Sequence, residues 1–370
     1  VSNDIADRTT PTDQAALLDI LRAQAGTTEH DERPTPDTLA ALRALGTLAL
    51  RTPRAHGGAE ADATTVARRL TEVGRACPTS SWVAGTCLTA KNIAAYSFPQ
   101  ATVAEVFADP DALFCGSGFP GGHGERVPGG VRVTGSWPSV SGCEDAVWAT
   151  LGVLVDGVLT FVVVPLDDLT VERTWHMAGM RGTGSHTVVA QDLFVRDDHT
   201  AGKAPFGPAD RLLYAIAVLA PVVGAAQGAL DATTEMFASG RKPYMSAYTR
   251  MGDSPEARHW LAEAANLVHR AETTMLAVAA RADAAAAPAG PDPLDGPDGH
   301  HQRLALADAA RDCRAALELV LDLNGTSGFR TSNRLQRLWR DVAVGSRHPL
   351  LNPYLATENL GGSLVPPPAP

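Results

Sequence analysis

The sequence has no basic surplus, no paired cysteines and no long uninterrupted apolar run, and each absence removes a class of protein. Its formal net charge is −10, so there is no basic field to neutralise phosphates and a nucleic-acid partner is not expected. Five cysteines, Cys77, Cys87, Cys115, Cys143 and Cys313, form no CxxC pair. Such an odd set argues against a disulfide framework or a zinc site and suits a reducing cytosol, with the thiols buried and inert. Val1-Ser-Asn-Asp has neither the basic nor the apolar stretch of a signal peptide. The greasiest run, about 215–226, is short for a bilayer span and contains Pro221. No GxGxxG follows a strand and opens a helix, which leaves a Rossmann site unsupported. His300-His301 lacks carboxylates at ligand spacing, so no metal is expected. These exclusions leave a cytoplasmic protein with no membrane partner.

What remains is ordinary globular composition in a chain of 370 residues, 45% apolar and 19% charged, enough for two or three domains. Residues 1–108 read as helices. Thr35-Pro36 supplies an N-cap and a first-turn proline ahead of Leu39, Leu42 and Leu45. His56-Gly57-Gly58 breaks the pattern before helical runs at 64–76 and 82–96, and a short amphipathic segment follows Pro99.

From 109 to 205 the period changes to two. Val131 and Val133 alternate with Arg132 and Thr134, as in a half-buried strand. Asp156-Gly157 between two β-branched runs predicts a tight hairpin, because both turn positions need positive φ. His186-Thr-Val-Val-Ala and Asp192 to Val195 give further strands, and a barrel or sandwich of this size follows. From 206 to 370 helices return: 212–237 is apolar nearly all round, Ser254-Pro255 opens a second helix, and 304–323 ends at Asn324-Gly325. Residues 284–298, rich in Ala, Pro, Gly and Asp, read as a surface loop. No internal repeat is visible.

The chemistry-bearing residues concentrate between Gly130 and Val195. Gly135-Ser-Trp-Pro-Ser-Val-Ser-Gly142, Ala146-Val-Trp148 and Trp175-His-Met-Ala-Gly-Met-Arg-Gly-Thr-Gly-Ser185 set hydroxyls beside glycines. That pairing lets backbone and Oγ atoms approach a flat heteroaromatic ring. Ser139 and Ser141 alternate, so a strand would point both at one object. By residue type alone, turns of a surface β-barrel are the favoured reading of these pieces.

Helices, a β-domain and a helical bundle, in that order, together with these motifs, resemble the acyl-CoA dehydrogenase fold. The closer resemblance is to its oxygen-using branch, the two-component flavin-dependent monooxygenases that hydroxylate phenols or oxidise amines. It runs from about Pro53-Arg-Ala-His-Gly-Gly58 to Gly362, and its most specific parts include Gly179-Met-Arg-Gly-Thr-Gly-Ser185 and Leu335-Gln-Arg-Leu-Trp-Arg-Asp341 with His348.

The resemblance implies an α+β fold with an N-terminal helical domain, a central β-barrel domain and a C-terminal helical bundle. It implies reduced FMN or FAD from a separate reductase, O2, a flavin C4a-hydroperoxide, a small-molecule substrate and a homotetramer. Ser139 and Ser141 would lie on the flavin, faced by the loop Cys115-Gly-Ser-Gly-Phe-Pro-Gly-Gly122 through Ser117. Trp175, Thr183 and Ser185 would pack near the ring, and Arg181 would meet a cofactor phosphate. Gly325 and Arg337 fall where a neighbouring subunit touches FAD; the cluster Arg241, Lys242 and Arg250 is another candidate for the flavin phosphate.

On the substrate side stand His348, Trp82 and His123. His348 follows Asp341 by seven residues, at the place where a dehydrogenase of this fold carries its glutamate. An imidazole of ordinary pKa there is suited to taking a phenol or ammonium proton at neutral pH. The expected activity is hydroxylation of an aromatic or polyketide-type molecule, in natural-product biosynthesis. N-oxidation of an amine or amino sugar, a thioester dehydrogenase and a non-catalytic flavin-binding protein remain as alternatives.

Overall fold

The computed structural model describes residues 10–202, 206–285 and 296–365. The N-terminal tetrapeptide and most of the 284–298 loop lie outside those residues. The described chain forms two compact units: residues 1–62, 79–177 and 181–207 make the first, and residues 63–78, 178–180 and 208–370 the second.

Helices of the first unit begin where the sequence supplies caps. In α1 (Pro11–Asp31), Thr10 accepts from Asp13 N and Asp13 caps back, a capping box. In α2 (Pro36–Ala44), Thr35 accepts from Thr38 N with proline at the first helical position. The third helix of this unit, here α4 (Pro78–Ser97), carries Trp82. It also carries the fully buried Lys91, whose ammonium donates to Leu48 O at 2.8 Å, Pro110 O at 2.7 Å and Thr52 Oγ1 at 3.1 Å. Burial pushes the pKa of Lys91 down, and the three acceptors offset the desolvation of its charge. The short α5 (Gln100–Val106) leads into the sheet.

Seven strands make one mixed sheet: β1 (Phe114–Val127), β2 (Gly130–Val140), β3 (Trp148–Val155), β4 (Val158–Pro165), β5 (Thr170–Glu172), β6 (His186–Arg196) and β7 (Thr200–Ala201). Their spatial order is β5-β6-β2-β1-β3-β4-β7, with β1 and β3 parallel. The expected barrel is therefore, in its hydrogen bonding, a sheet whose ends β5 and β7 do not pair among the described residues. The Asp156-Gly157 turn joins β3 to β4 with both φ values positive, 51° and 78°. The two strands expected at 186–195 are one, β6, bulged at Asp192 (φ 50°).

Trp137 fills the sheet's core, fully buried, with Nε1 donating to Gly152 O at 2.8 Å. Its ring explains nearby glycines: a Cβ at Gly121 would lie 2.5 Å from Trp137 Cδ1, and one at Gly135 2.8 Å from Trp137 Cη2. Part of the glycine-rich stretch before 122 thus serves packing within β1. Truncating Trp137 to alanine costs about 3–5 kcal/mol.

The second unit is helical: α3 (Ala63–Ala76), α6 (Pro208–Ala238), α7 (Pro255–Ala285), α8 (Pro297–Asn324), α9 (Arg334–Gly345) and α10 (Pro353–Leu364). Here α3, which the sequence groups with the N-terminal helices, joins the C-terminal ones. Its contact with α6 is backbone-close, since a Cβ on Gly224 would sit 2.3 Å from Thr71 O. Among the described residues α6 alone is long and apolar enough to cross a membrane, but 94% of its most apolar window is buried, as in a core helix. Asp283 of α7 caps α3, accepting from Ala63 N at 2.6 Å and Thr64 N at 3.1 Å.

Candidate functional site

Ser141, Ser185 and Thr183 meet in the first unit as a chain of buried hydroxyls. Ser141 follows β2, Thr183 lies in a 3-10 turn (Arg181–Thr183), and Ser185 precedes β6. The oxygens of Ser141 and Ser185 lie 2.7 Å apart, and those of Ser185 and Thr183 also 2.7 Å. Trp82 Nε1 donates to Ser141 Oγ at 3.2 Å. A backbone bond from Gly142 N to Thr183 O at 2.8 Å pins the two turns together, and Gly142 has the positive φ, 71°, that this turn requires.

The direction of this chain has a chemical consequence. Ser141 already accepts from Trp82. If Thr183 donates to Ser185 and Ser185 to Ser141, the Ser141 proton is directed to an outside acceptor. A hydroxyl supported in this way donates to a ring nitrogen or carbonyl better than an isolated one, because linked hydrogen bonds polarise each other. The Ser141 proton so directed suits an acceptor on the edge of a flat heteroaromatic ring such as a flavin.

Ser139 departs from the expectation. It sits at a register shift between Trp137 and Val140, with φ 62°, and is exposed whereas Ser141 is buried. The two serines therefore do not share one strand face, and the alternation breaks at this bulge. Ser117 lies within β1 and is half-buried, accepting from Phe119 N at 3.3 Å. Trp175 is half-buried, and its backbone N–H donates to His186 Nδ1 at 3.2 Å. This fixes the fully buried His186 with its proton on Nε2, 3.3 Å from Glu144 but not aligned for a hydrogen bond. Burial lowers the His186 pKa, while Arg173 outweighs the burial of Glu144 and keeps that carboxylate's pKa low.

Other expected contacts are placed otherwise. Arg181 pairs with Glu32 at 2.7 Å, so its charge is met within the protein. His123 is exposed on β1, and His56 stacks on Phe107. All five cysteines are free and buried, and burial pushes Cys143 up to about 11 and Cys313 up to about 12. These two are held as thiols at neutral pH.

The second unit holds the expected C-terminal residues. Gly325 ends α8 with φ 59°. Beside it, Arg241 donates to Asn324 O at 2.7 Å and Ser327 Oγ at 2.9 Å. Arg337 lies half-buried on α9, its buried Nε having no hydrogen-bond partner among the described residues. The segment 178–180 is fastened to α9. Met180 N–H donates to Asp341 Oδ1 at 2.6 Å, Arg340 Nη1 donates to Ala178 O at 2.5 Å, and a Cβ on Gly179 would meet Arg340 O at 2.1 Å.

His348 caps a short 3-10 turn (Pro349–Leu351), its Nδ1 accepting from Leu350 N at 3.2 Å. Two arginines of α8, eleven residues and close to three helical turns apart, grip the same segment from one face. Arg314 donates to Ser346 Oγ at 2.9 Å, and Arg303 to Leu350 O at 3.2 Å. Burial and the nearby Arg303 push the His348 pKa down to about 4. The imidazole is neutral at pH 7, and with Nδ1 accepting, its proton resides on Nε2. Such a ring donates a hydrogen bond through Nε2, where the sequence suggested a proton acceptor. Arg303 escapes sequence reasoning: a single arginine in a helix has no distinguishing pattern, and only the fold puts it beside His348.

Comparison with known proteins agrees with these features. Family models match at residues 18–100 (acyl-CoA dehydrogenase, N-terminal domain) and 216–353 (acyl-CoA dehydrogenase, C-terminal domain). The oxygenase component of an FADH(2)-dependent resorcinol hydroxylase from Rhizobium sp. (strain MTP-10005) is 32% identical, over 95% of this chain and 92% of that one. The oxygenase subunit HsaA of a flavin-dependent monooxygenase from Rhodococcus jostii (strain RHA1) is 30% identical over 92% of this chain and 94% of its own. Among solved structures, XiaF from Streptomyces sp., in complex with FADH2 and glycerol, superposes with a TM-score of 0.87 at 31% identity, covering 97% of this chain and 98% of that one. The chain belongs to the flavin-dependent monooxygenases built on the acyl-CoA dehydrogenase fold.

Proposed function

We propose that this chain hydroxylates a phenolic aromatic molecule with O2 and with reduced FMN or FAD supplied by a separate reductase. The observation that carries the reading is the buried chain Thr183–Ser185–Ser141, braced by Trp82. Ser141 would donate to the flavin ring, Ser185 and Thr183 would support that donation, and Trp82 would keep the Ser141 oxygen in place. Ser117 and Trp175 would complete the cofactor contacts, and Gly325 and Arg337 of a neighbouring subunit would meet its distal end. When bound, reduced flavin supplies the electrons that activate O2. Burial of the hydroxyls keeps bulk water from competing for their protons.

His348 would hold the substrate oxygen by donating from Nε2, which favours the ionised, more nucleophilic phenol. A thioester dehydrogenase is disfavoured by the same segment. Gly345-Ser-Arg-His-Pro offers no glutamate, and the nearby carboxylate of Asp341 is buried as the acceptor of Met180 N–H. The resorcinol hydroxylase relative supports a phenolic substrate. A homotetramer, a cytoplasmic location and a role in natural-product biosynthesis extend the same family reading.

The test supplies chemically reduced FAD and 18O2 with resorcinol and 3-hydroxyphenylacetate as probes. Incorporation of one 18O atom into a hydroxylated product supports the proposal. Hydrogen peroxide as the sole product with every probe, together with reduction of bound flavin by an acyl-CoA thioester, counts against it.

A further inference from the structure

Arg303, a cation beside His348, is left incompletely satisfied by its described surroundings. It is half-buried on α8, and its Nε is shut off from solvent with no hydrogen-bond partner among the described residues. Its only hydrogen bond among the described residues runs from Nη2 to Leu350 O, and no carboxylate pairs with it. Burial disfavours its charge, and Arg211 on the first turn of α6 adds to that effect. A guanidinium placed near a like charge and away from water is costly unless an anion completes the site.

The backbone of Leu350 links this arginine to His348. Its carbonyl accepts from Arg303, and its N–H donates to His348 Nδ1. One peptide segment therefore sets the guanidinium and the imidazole beside each other. Both present donors: Arg303 has no acceptor atom, and His348 carries its proton on Nε2. A site built from donors and surplus positive charge selects a ligand group that only accepts.

We propose that Arg303 is an oxyanion receptor that selects substrates carrying an ionised phenol or a carboxylate. The inference rests on the hydroxylase reading and specifies its substrate class. A planar guanidinium can meet either anion with two parallel N–H bonds. A neutral substrate would leave Nε orphaned, which gives the site discrimination as well as affinity.

Two matched probe pairs distinguish the sources of the anion, measured by calorimetry on the full chain with reduced FAD under anaerobic conditions. For the carboxylate, 3-hydroxyphenylacetate is compared with 3-hydroxyphenylacetamide. For the phenolate, pentafluorophenol, ionised at neutral pH, is compared with phenol. We expect at least one anion to bind roughly ten-fold or more tightly than its neutral partner. That preference should vanish in Arg303→Gln and return in part in Arg303→Lys. Equal binding within both pairs in the native chain, no binding by any probe, or a preference that survives in Arg303→Gln would overturn the assignment. The native-chain comparison decides even if a variant misfolds. Reduced FAD binding, recorded in the same titrations, separates the two failures. Flavin bound without anion preference refutes Arg303 alone, whereas no flavin binding refutes the hydroxylase reading.

Discussion

Trp82 on α4 donates its indole N–H to the hydroxyl of Ser141 at 3.2 Å, joining a helix to the turn that follows β2. Both partners are buried, so the bond belongs to a water-excluded network in which deletions couple. Trp82→Phe keeps the ring and removes the donor. It should lower stability by about 0.5–1.5 kcal/mol, read by urea unfolding. Adding Ser141→Ala should then cost less than it does in the native chain, because the two residues share one bond. Additive losses would show that the pair is not coupled.

The low pKa of His348, about 4, makes a signed prediction for pH. An unfolded histidine titrates near 6.5, so between that value and about 4 the unfolded chain holds more protons than the folded one. The stability associated with neutral His348 is therefore complete above about 6.5 and is lost as pH falls toward 4, a change of about 3 kcal/mol. His348→Gln should flatten this part of the stability–pH curve. Its amide can still donate, so it should also retain more activity than His348→Ala. A His348→Gln profile as steep as the native one would contradict the burial of this ring.

Gly179 tests how the segment 178–180 is fastened to α9. An added Cβ would fall 2.1 Å from Arg340 O, and backbone on backbone has no rotamer through which to yield. Gly179→Ala should destabilise the chain by roughly 1–3 kcal/mol or more, measured by thermal or urea unfolding. A neutral substitution would mean that the loop shifts freely.

The elements that could be read from sequence were those with local signals. Thr35-Pro36 capped α2, Ser254-Pro255 opened α7, and Asp156-Gly157 made the β3–β4 turn with both φ values positive. The family motifs likewise pointed to the acyl-CoA dehydrogenase fold. What escaped depends on contacts remote in sequence. Ser139 alternates with Ser141 on paper, but a bulge with positive φ turns it outward. Gly121 and Gly135 look like ligand-loop glycines, but the Trp137 ring, joined at Gly135 by the Gly122 backbone, is what requires them. The parallel pairing of β1 with β3 and the transfer of α3 to the second unit leave no periodic trace. The donor state of His348 follows from a backbone N–H two residues away, which no count of residue types reveals.

Anaerobic titration of the protein with reduced FAD and reduced FMN, monitored calorimetrically, tests the hydroxyl chain most directly. The native chain should bind at least one of them. Ser141→Ala and Ser185→Ala should each weaken that binding by about three- to ten-fold, the loss of one buried hydrogen bond, while unfolding curves show both variants folded. Native affinity in both folded variants, or no flavin binding by the native chain, would contradict the assignment of Ser141 and Ser185 to the cofactor.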